Sequence, residues 1–461
     1  MAPPGQQPNA ALAHWVSRSG ASHQKITRTI RAVAVERGHR DIAPDRSRVP
    51  RWIKGENPRP PLPDLIAEAL NRLCGPPTRL TPADIGMTGR PAAGATSGWS
   101  GAAVCAAIID TTRSDAVTDG FTPTNARLLA GPELLTAVQP WLHLPDSELP
   151  NPARPGRLGM SDVRRIRDTT DAFRRLDNTH GGGLSRRAVV GQLHDVTALA
   201  QQSRASDAVG RELFVAVADL ASVAGWMTHD TGRHAEAQHY LLLGLQAAKA
   251  AGLAGAGIAG HLLNCLARQA NHLGRTTDAL ELVQAGLYGT RKRPADRLRA
   301  VLATLEARCH ASLGDLPAVE RSIAVAEHAL NTDAEVPTWV EWFDRAEYEV
   351  TVGVCELIAA ERDADRARRA ITGIQAGTAL RPKERTRSRA FDRIALARAY
   401  VRAGELEGAE AATAEALALF GQVTSTRVTD RLGELDAELA AAAGSSAACA
   451  ARERIQAATA A

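Results

Sequence analysis

Aromatic side chains are scarce in this chain: Phe, Trp and Tyr make up only 4% of its 461 residues. Without them, a core must be packed from Leu, Val and Ala, which favours helices over sheets. Alternating strand-like runs are few, and alanine-rich stretches such as 437–443 point the same way. The six cysteines (Cys74, Cys105, Cys265, Cys309, Cys355 and Cys449) are scattered and form no CxxC pair, which argues against a disulfide framework and predicts buried free thiols. No run of about 18 apolar residues exists to cross a membrane. The polar, proline-rich start, Met1–Asn9, lacks the apolar segment of an export signal, so a cytoplasmic location is expected. Nucleophile-elbow, Walker and dinucleotide motifs do not occur in their structural settings. No catalytic residue, metal site or cofactor is therefore expected, and the chain reads as a regulator rather than an enzyme.

Length suggests about three domains. Net charge is +4, but residues 1–80 hold 13 Lys/Arg against six Asp/Glu, a local +7 that leaves −3 for the remainder. A basic head on a mildly acidic body suits a module for polyanions joined to one that does not bind them. Within the head, the stretch Asp45–Pro61 (DRSRVPRWIKGENPRPP) has the chemistry of a helix that reads nucleic acid. Arg46, Ser47, Arg48, Arg51 and Lys54 are its polar positions, while Val49, Trp52 and Ile53 are apolar anchors at helical spacing. Gly55 stands where a helix-ending glycine belongs. Upstream, Asn9 caps a first helix over 10–18, and Ser22 caps a second carrying Lys25 and Arg28. A fourth helix spans 64–73, with Leu65, Ile66, Ala69, Leu70 and Leu73 inward. Short helices, tight turns and a basic third helix make a helix-turn-helix bundle.

The pattern W-x-x-G-E-x-P-R-P-P, from Trp52 to Pro61, followed by DLIAEAL, resembles the Cro/C1 (XRE)-type heads of actinobacterial transcriptional regulators that carry a tetratricopeptide-repeat body. The segment FRRLDNTHGGGLSRRAVVGQLH (173–194) resembles one that precedes the repeats in the same family. The resemblance implies that Arg46, Ser47, Arg48 and Arg51 face bases or phosphates and that Trp52 is core. It further implies double-stranded operator DNA as partner, and a role in development or secondary metabolism. Pro50 departs from the pattern. It is tolerable if Ser47 is the N-cap, because a proline in the first turn removes no hydrogen bond; it kinks the helix if that begins at Arg46.

Residues 86–100 read as a Gly/Ala/Ser/Pro linker, and 101–160 as poorly defined. There, Val104–Ile109 fits a short strand or a buried helix, and Pro140–Pro155 fits a loop. Helical periodicity returns at Ser161. His180-Gly-Gly-Gly183 lacks the Lys-Ser/Thr of a phosphate loop and reads as an interhelical hinge. The organisation expected is thus a head at 1–85, a linker segment at 86–160 and a helical solenoid at 161–461, all-α throughout.

Self-similarity defines the last part. The G-x-x-x-x-A turn starts at Gly232, recurs 42 residues later at Gly274 and 40 later at Gly314, and again at Gly404. A degenerate copy ending at Ala367 fills the gap, and Val428–Ala442 is expected to form the terminal cap. The first helix of each pair should line the concave face. Ten, six and three residues before each glycine stand Ser222, Trp226 and His229; Asn264, Arg268 and Asn271; Thr304, Arg308 and Ala311; and Ile394, Arg398 and Val401. The degenerate copy gives Val352, Glu356 and Ala359. Trp226, His229, Asn264, Arg268, Asn271 and Arg308 suit an acidic small molecule or an extended peptide, although a plain solvated face would look similar. Trp339, Trp342 and Phe343 form the main aromatic cluster: core packing between helices, or together the wall of a ligand pocket, with Trp342 counted among the groove residues. His229, His234 and His239 recur at a spacing that rotates them around a helix, which suits repeat faces better than a metal site. The expected function is a homodimeric DNA-binding regulator whose repeats dimerise and take up a signal. The alternative is a repeat scaffold with a head that does not bind DNA.

Overall fold

Every element longer than two residues is helical among the residues described, which in this computed structural model are 9–36, 42–56, 58, 61–75, 80, 82, 85–87, 98–117, 127–143, 149–150, 156–180, 185–291, 296–331, 336–363, 365–423 and 425–459. No described helix is long and apolar enough to cross a membrane. Contacts divide the chain into two units, residues 1–95 with 117–127, and residues 96–116 with 128–461.

The first unit is a bundle of α1 (Ala10–Arg18), α2 (His23–Glu36), α3 (Arg48–Ile53) and α4 (Leu62–Cys74). Asn9 caps α1 by accepting from the Leu12 amide, and its own amide donates to the carbonyls of Ile85 and Gly86 at 3.0 Å each. Leu12, Ile26, Ile30, Val49, Trp52, Leu65, Ile66 and Leu70 share one core. α3 begins after Ser47, so Pro50 falls at its third position and the kinked alternative does not occur. Ser47 does not cap with its side chain; its backbone N–H and hydroxyl both donate to Asp45 Oδ1, at 2.7 and 2.6 Å. Gly55 follows the helix at φ 103°.

The second unit starts with α5 (Gly101–Val117) and α6 (Pro132–His143), where the sequence predicts little order. Val104–Ile109 is helical, and Pro140 sits in the last turn of α6 rather than in a loop. Val104, Cys105, Ile108, Leu134, Val138 and Trp141 join the main core of the repeats. Residues 86–160 are therefore only partly a linker. Asp115 of α5 accepts from Arg186 at 2.5 and 2.7 Å, from Tyr240 at 2.8 Å and from Arg233 at 3.2 Å. Burial opposes its charge, yet these bonds hold its carboxyl down at about 2.

Next come α7 (Met160–His180) and α8 (Arg186–Gln202), then five helix pairs: α9 (Asp207–Asp230) with α10 (His234–Ala250), α11 (Ala256–His272) with α12 (Thr276–Thr290), α13 (Asp296–Leu313) with α14 (Leu316–Leu330), α15 (Arg345–Ala359) with α16 (Arg366–Leu380), and α17 (Thr386–Ala403) with α18 (Leu406–Phe420). A two-residue parallel bridge joins 156–157 to 203–204. The glycines expected at the turns, Gly232, Gly274, Gly314 and Gly404, all have φ between 74° and 85°, the left-handed region in which a Cβ is strained. α19 (Thr426–Ala440) buries Val428, Leu432, Leu435 and Leu439, and is itself covered by α20 (Ser446–Thr459). The terminal cap is accordingly α20, not the expected 428–442. The hinge expected at 180–183 falls outside the described residues beyond His180.

The first helices of the pairs, α9, α11, α13, α15 and α17, pack side by side as an inner layer. α7 touches both α9 and α17, so the inner layer closes into a ring. The closure is ionic. Arg387 of α17 donates to Asp177 of α7 at 3.0 and 2.7 Å and to Asp230 of α9 at 3.2 Å. Asp230 also accepts from Arg427 of α19 and from the Ser425 hydroxyl, at 2.8 Å each.

Candidate functional site

The ring encloses a cavity of about 260 Å³ lined from α7, α9, α11, α13, α15, α17 and α19. Of the groove residues expected from sequence, Trp226, Asn264, Arg268, Asn271, Arg308 and Trp342 all line it, as do Ser222, Ile394 and Arg398. His229 does not. Its ring is 1% exposed and packs among its neighbours, with Nδ1 2.9 Å from His234 Nδ1 and the His272 ring centroid 5.3 Å away. Its side chain turns toward His234 in the first turn of α10, whereas Asn271, at the equivalent position before Gly274, faces the cavity.

The degenerate pair also departs from the expected register. Its cavity residues are Glu347, Val350, Thr351, Val354 and Leu357, whereas Val352, Glu356 and Ala359 point elsewhere. α15 ends without a glycine in a loop running from Ala360 to Asp365, longer than the other turns, so Ala360 takes the glycine's place in the spacing. The inner positions six before the turn are thus Trp226, Arg268, Arg308, Val354 and Arg398.

Indoles form one wall. The Arg268 guanidinium lies between Trp226 and Trp342, 5.7 and 4.9 Å from their ring centroids, and Arg427 stacks on Trp226 at 4.5 Å. The Trp339 ring lies 5.5 Å from that of His261. Phe343, by contrast, is core. Trp339 and Trp342 line the cavity, as the pocket-wall alternative has it, while Arg174, Asp177, Arg427 and Arg431 were not found from the sequence. They come from segments outside the repeat period, and their approach depends on the closure just described.

Most charges in the cavity are matched within the protein. Arg398 pairs with Glu434 and Glu438, Arg174 with Asp171 and Asp219, and Arg381 holds Glu347 and Asp392 behind the wall. Arg308 is the exception, with no carboxylate partner among the described residues and a buried Nε that makes no hydrogen bond. Burial, and then the positive charges of Arg431 and Arg268, pull its guanidinium down to about 10. Asn264 is 1% exposed, and both its amide nitrogen and its oxygen lack partners. His261 is in the same position at Nδ1; its ring is held neutral, at about 3, by burial first and then by Arg174 and Arg268.

In the head, Lys25, Arg28, Arg46 and Lys54 are exposed, Ser47 is exposed but bound to Asp45, and Arg48 and Arg51 are tied to Glu56 at 2.5 and 2.6 Å. Two of the arginines expected to read DNA are thus neutralised locally. Elsewhere, His239 lies against Thr111, apart from the His229–His234 contact, and no group of His, Cys, Asp or Glu among the described residues could hold a metal ion.

A family model described as the SP15 N-terminal domain matches residues 12–88, within the head. No protein of curated function and no solved structure matches the chain.

Proposed function

We propose that this protein is a homodimeric, cytoplasmic DNA-binding regulator of the Cro/C1 type, whose head docks on operator DNA and whose tetratricopeptide-like ring receives the signal. The observation that carries the DNA reading is the division of labour in the head. Its core is packed from apolar side chains, while Lys25, Arg28, Arg46 and Lys54 stand exposed with no ion pair among the described residues. Such side chains supply the counterion-releasing contacts on which DNA affinity chiefly rests. Glu56 opposes binding in this reading, because Arg48 and Arg51 must exchange it for phosphate or base edges. Free cysteines fit a reducing compartment.

The test is a salt titration of binding to the duplex upstream of the protein's own gene. Lys54→Ala and Arg46→Ala should each weaken binding across sequences and reduce the salt slope by about 1. Glu56→Gln should tighten binding, since it frees two arginines. One observation favours a scaffold instead: α3 has only six residues, and both its arginines are engaged. If binding is sequence-blind, and Glu56→Gln leaves both affinity and salt slope unchanged, the scaffold is correct.

A further inference from the structure

Natural cores rarely leave buried polar groups unpaired, and where they do, the groups ask for a partner. The ring cavity gathers three in one place. Asn264 offers an unused donor and an unused acceptor, His261 offers Nδ1, and Arg308 offers a guanidinium whose Nε is dry. A structural polar network would satisfy these groups internally; here the protein spends ion pairs on the surrounding arginines and none on Arg308. The other seven arginines lining the cavity each lie within 3.8 Å of a carboxylate. Arg308 is therefore the one lining arginine without a carboxylate partner among the described residues.

We infer that the cavity is a binding site for a small organic monocarboxylate, whose acid group takes Arg308, whose hydrogen-bonding body pairs with the Asn264 amide, and whose planar or apolar part lies against Trp226, Trp339 and Trp342. Three features select this class. A single unmatched guanidinium suits one negative charge, and its planar fork suits a carboxylate. A phosphate monoester would bring a second charge, for which another lining arginine would have to give up its carboxylate. The volume of about 260 Å³ lies just below the usual range of roughly 300–1,000 Å³ for small-molecule pockets, which suits a small ligand better than an extended peptide. This inference deepens the reading of the ring as the signal-receiving half, but it concerns binding in the ring alone.

The experiment uses the full chain without DNA. Indole-3-acetate, phenylacetate and benzoate are titrated by calorimetry and tryptophan fluorescence beside their neutral primary amides and phenyl phosphate. Carboxylates should bind, raise the melting temperature and perturb indole emission, while the amides and phenyl phosphate bind at least about tenfold more weakly. Arg308→Met should abolish the preference for acid over amide and leave the unliganded protein as stable or more stable, because a buried, unmatched charge is removed. Arg308→Lys, which keeps the charge and loses the fork, should bind weakly. The inference is overturned if no carboxylate up to millimolar concentration outbinds its amide, if phenyl phosphate binds more tightly than the carboxylates, or if Arg308→Met lowers the stability of the unliganded protein. A failure of DNA binding alone would sink the reading of the head and leave this result untouched.

Discussion

Replacing Asp230 with Asn tests whether the ring is closed by charge. Asp230 ends α9 fully buried, and it receives Arg387, Arg427 and the Ser425 hydroxyl. Burial opposes its charge, but Arg427 and Arg387 hold its carboxyl far below the usual range. Removing one partner of a buried ion pair leaves the other charge stranded, at a cost of about 3–5 kcal/mol. Arg387 keeps Asp177, and asparagine still presents one acceptor oxygen, so the low end, about 3 kcal/mol, is expected. For a unit of this size, that lowers the melting temperature by roughly 4 °C. Helix content at 20 °C should not change, because each helix pair is held by its own apolar seam. Circular dichroism melts and small-angle scattering together read both effects: an early transition, and a larger radius of gyration as α7 parts from α17. Adding Arg427→Met to Asp230→Asn should recover part of the loss, since the stranded charge goes with it. A melting temperature within about 1 °C of the parent would refute the reasoning, for then the network contributes nothing beyond its own desolvation.

Two further expectations concern packing and pH. A Cβ on Gly377 would lie 2.7 Å from the Ala346 carbonyl oxygen and 2.8 Å from the Val350 nitrogen, so Gly377→Ala should destabilise by about 1–3 kcal/mol in urea unfolding; Gly433→Ala, with open space in mid-helix, should stabilise by about 0.5–1 kcal/mol. Equal effects at the two sites would refute the backbone-on-backbone contact of α15 with α16. His229, His261 and His272 are held neutral, at about 2, 3 and 4, chiefly by burial; the next causes are Arg427 for His229, Arg174 for His261 and Arg431 for His272. Unfolded, each would take up a proton near pH 6.5, so the unfolded state binds more protons below that pH and stability falls with acid. It should be full above pH 6.5 and decline toward pH 4 by up to about 1.4 kcal/mol per pH unit for each histidine, less for the partly exposed His272. Urea midpoints that are flat from pH 8 to pH 5 would refute this.

The helix pairs were legible because a left-handed turn leaves a mark: Gly232, Gly274, Gly314 and Gly404 stand where only glycine is unstrained. Counting back from them reaches Trp226, Arg268, Arg308 and Arg398 on the cavity wall, because a helix keeps its angular register over ten residues. The count fails at α15, where the turn is longer and carries no such glycine. α5 was hidden for a different reason. Its inward positions, Gly101, Val104, Cys105, Ile108 and Thr112, have perfect helical spacing, but its outward positions include Ala102 and Ala106, which erase the contrast between faces. The ring closure left no local trace at all. Asp177, Asp230 and Arg387 are ordinary charges on helices far apart in the chain, and a lone sequence does not say that they meet.

That closure constrains how such a protein can change in length. An open stack gains or loses a helix pair by duplication or deletion, and its neighbours simply re-form the same seam. Here the seventh helix must meet the seventeenth, and Arg387 must reach both Asp177 and Asp230. One added pair, some 40 residues on the spacing of Gly274 and Gly314, would carry Arg387 past both carboxylates and strand three charges at once. The number of pairs is therefore a fixed count, set by the circumference. Diversity within this architecture has to come from the side chains facing the hole, not from the number of repeats around it.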